Sequence, residues 1–97
     1  MNNNIKKEFK NIVAPLIPEG VFYEKFTLHY ELYLPNKLHR DISNVLSIVD
    51  KNFCDAFIES GHGIDDSYEY VQDIRYTYGG MDEDKEGYCL VTVKEVA

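Results

Sequence analysis

The sequence predicts a small α+β domain in which a single-layer β-sheet packs against one long central helix, and three observations carry that expectation. Phe26 to Leu34 alternate apolar and polar side chains with period two, as a strand with one buried face requires. Ile42 to about Ser60 repeat apolar side chains at helical spacing. Two further runs rich in Tyr, Val and Ile, from Tyr68 to Tyr78 and from Tyr88 to Val93, read as strands.

Each element has its own local signals. Ile5, Phe9, Ile12 and Val13 recur at helical spacing over residues 3–13, with Asn3 or Asn4 as a cap, and Pro15, Pro18 and Gly20 stop that helix. Residues 1–20 are therefore read as an N-terminal helix and a proline-containing connector. In the first strand Phe26, Leu28, Tyr30, Leu32 and Leu34 point one way, while Thr27, His29, Glu31 and Tyr33 point the other. Pro35 ends that strand, the loop NKLHR follows, and Asp41 is placed to cap the long helix. Ile42, Val45, Leu46, Val49, Phe53, Ala56 and Phe57 form its apolar face, and Gly61 stops it. Asn44, Ser47, Lys51 and Asp55 lie opposite, among them the apolar Ile48 and Ile58, either simply exposed or meeting a second subunit. Gly79-Gly80 and the acidic stretch MDEDKEG are read as the turn of a C-terminal β-hairpin.

Composition narrows the classes. The 97 residues suffice for one hydrophobic core and not two, so the whole chain, 1–97, is taken as one domain. No apolar run approaches the ~18 residues that would span a bilayer, and the N-terminus carries no signal-peptide pattern. Cys54 and Cys89 form no disulfide framework and read as small hydrophobes in a reducing cytoplasm. The net charge of −7 argues against general nucleic-acid binding unless a cation neutralises part of it. His29, His39 and His62 lack zinc-ligand spacing. Carboxylates do gather, at Asp41, Asp50 and Asp55 and again at Asp65-Asp66. Such residues repel one another without basic partners, and a hard cation relieves the repulsion. Magnesium takes one or two carboxylates plus phosphate oxygens, which suits phosphodiester cleavage.

The segments FTLHYELYLP, NKLHR, DISN, DKNFCDAF and ESGHGIDDS, in that order, resemble the RusA family of Holliday junction resolvases. That family's pattern is a strand ending in Pro, a basic loop, an Asp-x-Asp-Asn motif entering a helix, a Lys one turn before Asp-Ala-Leu, a Gly turn with Asp-Asp, and a hairpin. DISNVLSIVDKNFCDAF also resembles a shorter phage branch of the family. The resemblance runs from Phe26 to Val93 and implies a RusA-like fold. It also implies a magnesium-dependent endonuclease that cuts four-way junctions as a homodimer in phage or prophage recombination, with no small-molecule cofactor. Asp41 matches the first carboxylate, Asp66 the carboxylate after the helix, and Lys51 the helical lysine. The second carboxylate is replaced by Ser43, or by Ser47 when the count runs back from Asp55, leaving Asp50 or Asp65 as substitutes. The resemblance further implies DNA contacts at Lys37, His39, Arg40 and Asn44. The rival expectation is a RusA-like fold without catalysis that binds DNA structure or another protein.

Overall fold

Phe26–Leu34 (β1) forms the middle of a three-stranded sheet of order β2-β1-β3 in a computed structural model that describes residues 11–37 and 40–97. The helix expected over residues 3–13 thus falls largely outside the described residues, as does His39. Asn11–Val13 are helical and tighten into a 3-10 turn at Ala14–Leu16. Then follow β1, helix α1 (Ile42–Glu59), β2 (Val71–Met81) and β3 (Tyr88–Glu95).

The inward face of β1, the central strand, is buried along most of its length. Phe26, Leu28, Tyr30 and Leu32 are buried, as the alternation predicts, and meet Leu46, Phe53 and Phe57 from α1. Burying side chains of this size stabilises the fold by ~1.5–3 kcal/mol each. Asp41 caps α1 and Gly61, at φ 82°, turns the chain out of it. Ile58, one of the two apolar residues on the polar side of α1, packs partly buried against this core, whereas Ile48 stays 53% exposed. No helix among the described residues is long and apolar enough to cross a membrane.

The expected C-terminal hairpin does not form. β2 runs parallel to β1 and β3 antiparallel to it, so β1 lies between the two strands that sequence order would have paired. α1 supplies the long crossover that a parallel pair needs. The connection from β2 to β3 passes over the end of β1, where Asp82 N–H donates to the Leu34 carbonyl at 2.8 Å. The Asp82 carboxylate then accepts from the backbone N–H groups of Asp84, Glu86 and Gly87, which shapes the acidic loop as a crossover. Gly79 and Gly80 belong to β2 rather than to a turn. The reason is steric: the Tyr33 ring lies on the backbone of Gly79, where any Cβ would collide with it. That ring in turn stacks on Tyr88 with centroids 4.5 Å apart.

Candidate functional site

The carboxylates singled out by sequence separate into two groups. Asp41 sits at the N-terminus of α1 with its Oδ1 accepting from Ser43 N–H at 3.1 Å and from Ser43 Oγ at 2.9 Å. It is a helix cap, and Ser43, at the position of the missing carboxylate, is the residue it caps. Asp65 and Asp66 are exposed in the segment that leaves the other end of the helix. An 18-residue helix spans about 27 Å. Asp41 and the Asp65-Asp66 pair therefore do not meet within one chain, since magnesium–oxygen bonds are about 2.1 Å.

Asp50 occupies a different position. It lies one turn after Leu46 and one turn before Cys54, inside the stripe that α1 turns to the sheet. A carboxylate there needs donors, and β1 and β2 supply them. Tyr30, buried on β1, donates to Asp50 Oδ1 at 2.6 Å. Tyr76, the residue beside it on β2, donates to Oδ2 at 3.2 Å. The Cys54 thiol donates to Oδ1 at 3.3 Å and lies 3.9 Å from the Tyr30 hydroxyl. Among the described residues no buried side-chain nitrogen or oxygen lacks a partner.

Burial pushes the Cys54 thiol up to about 12, with the negative charge of Asp50 and, more weakly, that of Asp66 adding to the effect. Burial raises Tyr30 most, followed by its contacts with Cys54 and Asp50, and Tyr76 rises through burial and then Asp50. These donors keep their protons at neutral pH.

Lys51 follows Asp50 on α1 and is exposed, with Ser47 one turn before it on the same flank. Lys37 is exposed in the loop after β1, and Arg40 donates to Asn36 Oδ1 at 3.3 Å. Asn44 is exposed in the first turn of α1, and its carbonyl accepts from Ser47 Oγ. Among the described residues no set of three or more His, Cys, Asp or Glu side chains is placed to hold a metal ion. Magnesium needs only one or two protein carboxylates.

Sequence reasoning missed the partners of Asp50. The signal was present: an Asp at the i+4 position from Leu46 and the i−4 position from Cys54 faces the core, and Tyr30 is the one hydroxyl on the apolar face of β1. No protein-family model matches the chain, and no curated protein matches it either.

Proposed function

We propose that this chain is a RusA-like, magnesium-dependent endodeoxyribonuclease acting on branched DNA as a homodimer, with Asp50 and Asp66 as the carboxylates that would hold the ion. The observation that carries this reading is the Asp50 cluster. A carboxylate held by two tyrosine hydroxyls and a thiol is pre-oriented, as the ligands of metal sites are by their hydrogen-bonding neighbours. The negative charge of Asp66 acts on the same thiol. Bound magnesium supplies a nucleophilic water at neutral pH and neutralises charge on the scissile phosphate.

The chain's own residues do the remainder. Tyr30 and Tyr76 fix the Asp50 oxygens, and Lys51 offers an ammonium to the charge that develops on the transferring phosphate. Lys37 and Arg40 contact the DNA backbone and set the register without reading bases. Two copies match the two-fold symmetry of a four-way junction. A partner whose helix runs antiparallel would also bring its Asp41 toward the Asp65-Asp66 end, which a single chain cannot do.

A second reading, a RusA-like fold that binds without cutting, is favoured by Ser43 in place of a carboxylate and by the use of Asp41 as a cap. A binding titration on a four-way junction and on a linear duplex, with and without calcium, tests the proposal. Affinity for the junction rises with the cation at fixed ionic strength if a metal-assisted site exists. Equal affinity under all four conditions contradicts it.

A further inference from the structure

The two edges of the sheet are unlike each other. β3 carries Lys94 and Glu95 toward its end, whereas β2 is an 11-residue edge strand with neither Lys nor Pro. Lys and Pro are among the devices that natural edge strands use to prevent pairing with another chain, and bulges are another; β2 is irregular only at Gln72 and Gly79. Among the described residues nothing pairs with the outer side of β2. Its run from Asp73 to Tyr78 is regular, each residue opposite its partner on β1 from Thr27 to Leu32.

The side chains of β2 are arranged by face. Ile74, Tyr76 and Tyr78 lie on the helix side of the sheet, opposite Leu28, Tyr30 and Leu32, yet remain 45%, 37% and 46% exposed. Asp73 and Arg75 lie on the other face and pair with each other at 3.1 Å. Acid and base two residues apart on one face are self-complementary about the residue between them. In an antiparallel pair of β2 strands with its two-fold axis at Ile74, Asp73 of each copy stands opposite Arg75 of the other. A two-fold axis at Tyr76 would instead place Arg75 opposite Thr77 and leave Asp73 facing Gly79.

We infer that a second copy of this chain docks along β2, antiparallel and centred on Ile74, so that two three-stranded sheets become one continuous sheet. This names the surface used by the homodimer of the proposed function and rests on that reading for its purpose, but the observations behind it are those of the edge strand alone. The pairing sets the two α1 helices antiparallel on the same face of the joined sheet. Ile48 then lies on the helix that borders the seam, and Tyr76, which donates to Asp50, stands opposite Gln72 of the second copy.

The test uses the full chain without magnesium or DNA. Light scattering at tens of micromolar gives twice the 11.3 kDa chain mass if the inference holds, and a clean monomer overturns it. Opposed residues of an antiparallel pair have Cα atoms about 4.5–5.5 Å apart, within disulfide reach. Ile74→Cys therefore cross-links to itself under mild oxidation, while Tyr76→Cys and the parent, with Cys54 buried and Cys89 on the opposite edge strand, do not. Cross-linking by Tyr76→Cys instead of Ile74→Cys overturns the register. Asp73→Arg or Arg75→Asp alone raises the dimer dissociation constant about tenfold, since each places like charges opposite at two symmetric contacts, and the double exchange restores it. If the double exchange is as weak as either single one, the charge pairing is wrong and the inference fails. Cutting is scored separately: a monomer that cuts junctions overturns the pairing only, and a cross-linked dimer that neither binds nor cuts overturns the nuclease reading only.

Discussion

Replacing Tyr30 with Phe removes one hydroxyl and leaves the ring where it is, buried and edge-on to Phe53 at 6.1 Å. The lost contact is the 2.6 Å hydrogen bond to Asp50. Hydrogen bonds to charged groups contribute about 1.5–3 kcal/mol. Asp50 keeps Tyr76 and Cys54 as donors, so the lower part of that range applies, about 1.5–2 kcal/mol. For a domain of this size that corresponds to a fall in Tm of about 6–16 °C. The pH dependence gives a second handle. Tyr30's hydroxyl titrates higher in the fold than its ordinary value of 10.0, so its contribution is complete below that pH. Above it the unfolded chain releases the proton while the folded chain retains it, and stability falls by about 1.4 kcal/mol per pH unit. Guanidinium denaturation followed by circular dichroism at pH 7 and pH 11 measures both effects. The gap between parent and Tyr30→Phe should be clear at pH 7 and close by pH 11. A variant as stable as the parent at pH 7, or a gap that does not change with pH, refutes this account of the Asp50 cluster.

Three other outcomes follow from the same structure. Cys54→Ser keeps a donor to Asp50 but removes a thiol whose pKa rises from 9.0 to about 12, so its alkaline loss of stability, measured as the denaturation midpoint from pH 9 to 12, should be shallower than the parent's. Asp41→Asn should keep α1 capped, leaving stability within about 0.5 kcal/mol, whereas Asp41→Ala should lower it by about 1 kcal/mol, both read by thermal melts. Gly79→Ala should cost about 1–3 kcal/mol by driving the Tyr33 ring off Tyr88, seen as a lower melting temperature with a changed near-UV spectrum.

The parts of this molecule that were legible in its sequence are those decided locally. Period-two alternation located β1 and its buried face, and the 3.6-residue stripe located α1 and the residues it buries. Asp41 as a cap and Gly61 as a stop were readable for the same reason. The pairing of β2 and β3 was not, because short-range turn signals cannot tell whether a third strand lies between two neighbours. Here β1 takes the centre, and the loop governed by Asp82 is long enough to cross its end. Motif spacing likewise grouped Asp41 with Asp66, yet the length of α1 separates them. The carboxylate with the richest surroundings is Asp50, and its importance depends on Tyr30 and Tyr76, which lie 20 and 26 residues away in sequence. No local pattern reports such a contact.

In the proposed function, Asp50 and Asp66 serve magnesium-dependent cleavage of branched DNA. Its most direct test is a cleavage assay on a labelled four-way junction, run across a magnesium titration with the parent chain, Asp50→Asn and Asp66→Asn, each checked for folding by circular dichroism. Paired nicks should appear only with magnesium in the parent and vanish in both folded variants. An uncut junction with the parent at every magnesium concentration, or variants that cut at the parent's rate, would contradict it.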